Sequence, residues 1–209
     1  MGVDALPNDA QGRVGEGPAL GGAATDFIRR ELGLALPLHR AQVSICYPGY
    51  PKPSEGESEA AFNFRLRRDA AHVDGLLANG SGRYLREPHA YVLGVTLTAQ
   101  AAGAAPLTVW EGSHAMMREM FVGLFRDHAP EDWQAIDVTA AYREARRTAF
   151  AACRRIELPS SPGDAVLLHR HLLHGVAPWA EGAEGAQEGR IIAYFRPEFP
   201  LLADWLSAP

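Results

Sequence analysis

The chain has 209 residues, 47% of them hydrophobic and 22% charged, a balance typical of one globular domain with a substantial core. Its formal net charge of -5 argues against a nucleic-acid partner, because phosphate binding requires a basic face. No apolar run approaches the roughly 20 residues that span a bilayer, and the N-terminus has no signal-peptide core, so we expect a cytoplasmic protein without membrane association.

The first 60 residues carry few signals of regular structure. Residues 1–23 are rich in Gly, Ala and Asp without periodicity, which predicts a mobile or loosely docked N-terminal arm. A short helix is predicted next, ending at Gly33, and a buried strand at 41–47. Residues 48–60 contain three prolines and several acidic residues, which indicates a surface loop.

From residue 62 onward, strand patterns dominate the chain. Strands are predicted at 62–68, 89–99, 106–110, 154–159, 164–169, 171–177 and 190–195. Two helices are predicted within about 114–150, as an insertion between strands, and a low-complexity loop at 180–189. About eight short strands with flanking helices predict a mainly β fold, a double-stranded β-helix (jelly roll), forming a single domain over 24–209.

A His-x-Asp tripeptide is the first candidate for metal binding. On extended backbone, residues i and i+2 point to the same side, so His72 and Asp74 could reach one ion. The tripeptide alone carries little information, because a surface histidine beside a solvated aspartate is the more common occurrence.

A third ligand could come from the HRHLLHG segment at 169–175, where three histidines compete. Strand parity places His169 and His171 on one face and His174 on the other, and parity alone does not choose between them. Two imidazoles and one carboxylate on one face of a metal suit Fe(II), because three positions stay open for a chelating co-substrate and O₂.

Arg190 begins the last predicted strand and is a candidate anion-binding residue. A guanidinium binds a carboxylate through two parallel hydrogen bonds and stays charged at any working pH. Arg190 could therefore hold the far carboxylate of 2-oxoglutarate, although an arginine that faces solvent at the start of a strand is equally expected.

Four motifs, in this order, resemble the phytanoyl-CoA dioxygenase-like family of Fe(II)/2-oxoglutarate oxygenases: AHVDG (71–75), APLTVWEGSH (105–114), PGDAVLLHRHLLHG (162–175) and GRIIAYFRPE (189–198). In that family a glycine follows the distal histidine, so the resemblance selects His174, which precedes Gly175, as the third ligand beside His72 and Asp74. It also implies that Arg190 anchors the co-substrate 2-oxoglutarate. The resemblance further implies Fe(II) as cofactor, O₂ as oxidant, hydroxylation of a small molecule, and no catalytic side chain beyond the metal ligands.

The chain departs from the family pattern at three places, one of which is the gap of 16 residues from His174 to Arg190, longer than in many members and explained by an insertion at the 180–189 loop. Glu111 precedes the Gly-Ser-His turn where the family usually has proline, and Val176 stands where some members have a small hydroxyl residue. Two alternatives stay open: a cupin-like metalloenzyme that does not use 2-oxoglutarate, and a non-catalytic relic that binds a ligand. The presence of all four key residues argues against the relic, and removal of Arg190 would separate the cupin from the dioxygenase.

The residues that contact the substrate are harder to identify. Arg65 and Arg67 lie on one face of the predicted strand 62–68, before the metal motif, and could bind an anionic substrate group. A charged, solvated strand edge explains them at least as well.

Overall fold

The computed structural model describes residues 2–185 and 188–208, and in these ranges two antiparallel sheets form the centre of the molecule. The larger sheet has the strand order β1 (Gly2–Ala5), β2 (Gln42–Cys46), β10 (Arg190–Phe195), β5 (Tyr91–Thr96), β8 (Ala165–His169). The smaller sheet has the order β7 (Arg155–Leu158), β6 (Leu107–Trp110), β9 (His174–Val176). A separate hairpin pairs β3 (Leu76–Asn79) with β4 (Gly82–Leu85).

The two sheets pack face to face through apolar side chains. A buried cluster joins residues of β5, β8 and β10 in the larger sheet to residues of β6 in the smaller one: Val92, Leu107, Val109, Leu168, Ile192 and Tyr194. Because side chains alternate along a strand, Arg190 shares the inward face of β10 with Ile192 and Tyr194. The polar site described below therefore lies next to an apolar interior.

Helices flank the two sheets, and all the helices of the described residues except the last lie between strands in chain order. They are α1 (Ala23–Arg30), α2 (Glu59–Arg68), α3 (Ser113–Phe125), a 3-10 helix (Pro130–Ala135), α4 (Thr139–Ala152) and α5 (Asp204–Ser207). Between β6 and β7 lie α3, the 3-10 helix and α4, which is the interval of the predicted insertion. None of the helices in the described part of the chain has the length and apolar character that crossing a membrane requires.

The strand predicted at 62–68 is wrong, because these residues belong to the helix α2. The Ser58 hydroxyl accepts a hydrogen bond from the Ala61 amide at 3.2 Å, as a helix N-cap does. Glu59 in the first turn and three arginines in the last turn complement the helix dipole. These end signals outweigh the apparent alternation of the sequence.

The segment predicted as a mobile or loosely docked arm is hydrogen bonded to the fold. Residues 2–5 form β1 along the edge of β2. Farther along, the buried Asn8 accepts a hydrogen bond from the Ala41 amide at 2.8 Å and donates one to the His39 carbonyl at 3.0 Å. The predicted domain boundary at residue 24 stays a prediction, and residues 186 and 187 of the predicted 180–189 loop lie outside the described residues.

Candidate metal centre

Two of the predicted metal ligands face each other across an antiparallel pair. The His72 amide donates to the His174 carbonyl at 2.8 Å, and the His174 amide donates to the His72 carbonyl at 3.0 Å. Residues that exchange both hydrogen bonds in this way present their side chains on the same face. The two imidazole rings accordingly lie with their centroids 4.9 Å apart.

Asp74 completes a cluster of three side chains that could hold a metal ion, because their ligand atoms all lie within 4.8 Å of one another. One carboxylate oxygen is 3.0 Å from Nε2 of His72, and the other is 3.7 Å from Nε2 of His174. Each Nδ1 faces a backbone carbonyl, that of Ala70 at 3.0 Å and that of Leu172 at 2.9 Å. Since a carbonyl only accepts, each Nδ1 donates to it, and this fixes both rings with Nε2 directed into the cluster, where it could bind a metal once it has lost any proton shared with Asp74.

Gly175 sets the spacing between β9 and the loop that carries His72. A Cβ atom at this position would lie 2.2 Å from the Asp69 carbonyl oxygen and 3.1 Å from the Ala71 Cα. The neighbouring Val176 amide donates to the same Asp69 carbonyl at 2.9 Å. Any side chain at 175 would push the loop away from the strand, which gives the glycine after His174 a physical reason.

The two competing histidines of the same segment lie elsewhere. His171 is fully buried, with its ring centroid 4.4 Å from that of Trp205 and 5.5 Å from that of Phe121. Burial, reinforced by the charge of Arg170, lowers the pKa of His171 to about 2. His171 therefore packs as a neutral aromatic residue, and His174 is the histidine that faces Asp74 and His72.

The protonation states of Asp74 and His174 suit metal binding, whereas His72 would have to lose a proton. Burial alone would raise the pKa of Asp74, but His174, His72 and Arg196 hold it well below its ordinary value. Burial lowers the pKa of His174 to about 4, so this ligand is neutral at physiological pH. For His72, loss of solvation opposes protonation, but the hydrogen bond and charge of Asp74 outweigh it and raise the pKa.

Arg196 contacts the metal-binding carboxylate and was not singled out from the sequence. Its Nε donates to Oδ2 of Asp74 at 2.5 Å, and its Nη1 donates to the side-chain oxygen of Gln42 at 2.8 Å. The guanidinium thus occupies one carboxylate oxygen and leaves the other directed at His72. One sequence signal could have identified it. Side chains alternate along a strand, and Arg196 follows the inward residues Arg190, Ile192 and Tyr194 at even spacing.

Helix α4 holds the His72–Asp74 loop from the opposite side. The Tyr142 hydroxyl accepts a hydrogen bond from the buried Val73 amide at 2.8 Å, between the two ligands. Arg146 donates from Nη1 to the Ala71 carbonyl at 3.3 Å. The predicted helical insertion therefore positions the metal loop, a role that the sequence did not indicate.

Arg190 is buried in the space between the sheets, with 1% of its surface exposed. Nη2 donates to the Tyr194 hydroxyl at 3.1 Å, whereas Nε and Nη1 have no hydrogen-bond partner within the described residues. The adjacent Cys46 does not neutralise it, because burial raises the pKa of that thiol despite the nearby arginine. An uncompensated buried charge is costly, so the chemistry of this position calls for an anion.

A cavity of about 1050 Å³ contains the cluster. The three ligands, Arg196, Tyr194 and Tyr142 are among the residues that line it. Tyr194 both lines the cavity and bonds to Arg190, so the buried guanidinium lies directly behind the cavity wall. Arg190 itself is not among the residues that line the cavity.

Comparison with known proteins gives distant structural likenesses only. No protein-family model matches the chain, and no curated protein matches it. The chain is similar to the non-heme alpha ketoglutarate dependent carbocyclase SnoK from nogalamycin biosynthesis, with 14% identity and a TM-score of 0.44 over 87% of this chain and 59% of that one. It is also similar to AviO1 from Streptomyces viridochromogenes Tue57, with 15% identity and a TM-score of 0.42 over 85% and 58%.

The chain thus covers less than two thirds of the length of either protein. Likenesses at this level assign neither a family nor an activity.

Proposed function

We propose that this protein is an Fe(II)- and 2-oxoglutarate-dependent dioxygenase that hydroxylates a small molecule. His72, Asp74 and His174 would hold the iron, and Arg190 would pair with the far carboxylate of 2-oxoglutarate. The observation that carries the proposal is Arg190, a buried guanidinium with two unpartnered nitrogens behind the wall of a cavity that contains a His-Asp-His cluster. A metal site alone would not require that charge.

The fold that we propose is a jelly roll, in the phytanoyl-CoA dioxygenase-like group that the sequence motifs resemble. The strand order supports this, because the last strand, β10, lies between β2 and β5, and β6 pairs with the distant β9. Neighbouring strands that are far apart in sequence are typical of the Greek keys from which jelly rolls are built.

Iron, when bound, would activate O₂ as the oxidant: one oxygen atom would enter succinate as 2-oxoglutarate is oxidised and loses CO₂, and the other would enter the substrate as the new hydroxyl group. The protein's own part is orientation and exclusion of water. The Arg190 fork matches a carboxylate, and the Tyr194 hydroxyl, which accepts from Arg190, keeps its own hydrogen to donate to the same anion. Apolar side chains such as Val92 and Ile192 exclude water from this part of the interior.

The test is anaerobic titration of the metal-loaded protein with 2-oxoglutarate, followed by aerobic measurement of succinate. We expect Arg190→Gln to weaken 2-oxoglutarate binding about a hundredfold or more, because two charge-assisted hydrogen bonds are lost. Metal affinity should change less than about twofold, since Arg190 touches none of the three ligands. The matched control is Arg30→Gln on α1, an exposed arginine without an ion pair among the described residues.

Two outcomes would contradict the proposal. If Arg190→Gln left 2-oxoglutarate binding unchanged, the cupin-like alternative would replace it. If the double variant His72→Ala, Asp74→Ala bound Fe(II) as tightly as the natural protein, the metal centre itself would be refuted.

A further inference from the structure

A second depression adjoins the cavity of the metal centre. It has a volume of about 320 Å³ and is lined by side chains of α2 and α4: Arg68, Arg143, Arg146, Arg147, Phe150 and Ala151. We call it the arginine pocket. Arg146 lines both the arginine pocket and the metal cavity, so the two spaces share a wall. No carboxylate side chain is among the lining residues.

The positive charge of the arginine pocket is largely uncompensated. Arg147 pairs with Glu144, its neighbour on α4. In the parts of the chain that the structure describes, Arg68, Arg143 and Arg146 form no ion pair with a carboxylate. This differs from the molecule as a whole, whose formal net charge is -5. Asp137, just before α4, interacts electrostatically with Arg143, but it does not line the pocket.

Arg65 on the same helix α2 provides a direct contrast. Its Nε donates to the Glu57 carboxylate at 2.8 Å, and its Nη2 donates to the Lys52 carbonyl at 2.7 Å. The donors of Arg65 are therefore occupied by contacts that hold the 48–60 loop in place. Arg68, one turn later, has no such partner and faces the arginine pocket instead.

Two of the pocket arginines are held in place by aromatic rings. The Arg146 guanidinium carbon lies 4.6 Å from the Phe64 ring centroid and 5.3 Å from that of Tyr142. The Arg68 guanidinium carbon lies 4.9 Å from the ring centroid of Phe150. Stacking of this kind restricts the side chains without using their outward N–H groups, and preorganised donors bind an anion at a lower entropic cost.

We propose that the arginine pocket binds a phosphate or pyrophosphate group of the substrate, whose reacting part then lies at the metal centre. Arg146 connects the two, since it donates to the carbonyl of Ala71, the residue before the ligand His72. Three guanidinium groups around a small space match a group with several oxygens and two or more negative charges. A single carboxylate would leave most of that charge uncompensated.

The substrate role of the pocket rests on the proposed dioxygenase function, whereas the anion binding does not. The probe is therefore inorganic pyrophosphate, titrated calorimetrically into the metal-free protein at low ionic strength. We expect saturable binding that is weakened at least about tenfold in the double variant Arg68→Gln, Arg143→Gln, because charge-assisted hydrogen bonds are lost. Both residues are exposed on helices, and thermal unfolding of the variant checks that the fold is retained.

The control Arg30→Gln should leave pyrophosphate binding within about twofold, since Arg30 lies on α1, outside the pocket. Absence of saturable binding, or an equal loss in the control, would overturn the pocket. Malonate binding as tight as pyrophosphate would overturn the assignment to phosphate. His72→Ala should still bind pyrophosphate, because the pocket does not depend on the metal. If the natural protein binds pyrophosphate but makes no succinate from 2-oxoglutarate, the pocket is supported and the dioxygenase is refuted.

Discussion

The two halves of the candidate metal centre are built in different ways. The strand half consists of His174, which lies within β9 and has only 6% of its side chain exposed. The loop half consists of His72 and Asp74, which lie outside the named strands, and the His72 side chain is 46% exposed. One half is fixed mainly by the backbone of a sheet, and the other mainly by side chains from remote parts of the chain.

The strand half is determined by register and by the absence of a side chain. His174 lies opposite Val109 in the smaller sheet, and Gly175 permits close contact with the turn at 69–71. The Ser113 hydroxyl accepts from the Leu173 amide at 3.0 Å and secures the approach to β9. These contacts all belong to the fold itself, so they hold the His174 backbone in place without help from a metal.

The loop half depends on three side chains that reach it from α4 and from the chain just after β10. Tyr142 binds the Val73 amide, Arg146 binds the Ala71 carbonyl, and Arg196 binds Asp74. Each of these contacts can be removed singly without disturbing a sheet. The difference teaches that the loop half is where metal affinity can be tuned, and four changes test this distinction.

Loss of a ligand should have the largest effect, and it should be greater in the strand half. We expect His174→Gln to lower Co(II) affinity more than a hundredfold, since outer-shell changes alone cost about 10- to 100-fold. His72→Gln should cost less, about 10- to 100-fold, because His72 is more exposed and its raised pKa makes the metal compete with a proton. Competition with a chromophoric chelator measures both, and equal losses would contradict the comparison.

Removal of the Tyr142 hydroxyl should have the next largest effect. In Tyr142→Phe the buried Val73 amide loses its acceptor, which should lower the free energy of unfolding by about 1–3 kcal/mol. Metal affinity should fall roughly tenfold, as for other outer-shell changes. Urea denaturation measures the first quantity, with Tyr47→Phe at an exposed tyrosine as the control. Equal midpoints for the two variants would show that α4 does not hold the loop.

Acid should destabilise the fold around the strand half through two histidines of the preceding segment, the buried His171 and the partly buried His169. His171, whose pKa is lowered to about 2, and His169, whose pKa is lowered to about 4, are neutral when folded but bind protons below about pH 6.5 when unfolded. The unfolded state then carries more protons, so stability should fall as the pH decreases from about 6.5 to 4, by about 1.4 kcal/mol per pH unit for each histidine.

The variant His171→Phe isolates one part of this effect. Phenylalanine keeps the ring contact with Trp205 but does not titrate. The slope of the unfolding free energy against pH should therefore decrease by the contribution of one histidine, about 1.4 kcal/mol per pH unit. Urea denaturation of the metal-free protein between pH 4.5 and 7 measures it. An unchanged slope would mean that His171 does not titrate on unfolding.

Removal of Arg196 should have the smallest effect. The side chain is partly exposed, so we expect Arg196→Gln to lower metal affinity by about tenfold at most, because Asp74 loses the donor that orients it. Arg196→Lys keeps the charge but not the geometry of the guanidinium, and it separates the two contributions. A rise in affinity in Arg196→Gln would show that charge repulsion, and not orientation, dominates.

The same division explains what the sequence could predict. The strands β2, β5, β6 and β10 were predicted because their apolar and β-branched runs are local signals. His174 was chosen because Gly175 follows it, and the structure supplies the reason, which is the contact with Asp69. Features that depend on neighbouring residues in sequence were therefore within reach.

The supports of the loop half were out of reach for a physical reason. Tyr142 lies 69 positions from Val73, Arg146 lies 75 from Ala71, and Arg196 lies 122 from Asp74. No local pattern identifies such partners, because the tertiary fold brings them together. Helix α2 is a different case. Its N-cap, Ser58, is visible in the sequence, but the prediction gave more weight to the apparent alternation of residues 62–68.

The hydrogen-bonded pair between His72 and His174 has a consequence for exchange of backbone hydrogens with deuterated solvent. Each amide donates to the other residue's carbonyl, so separating the loop from β9 exposes both amides in a single opening event. A metal ion bound to both side chains would lower the population of that open state. The two amides should therefore show the same protection factor, and that protection should report the occupancy of the centre.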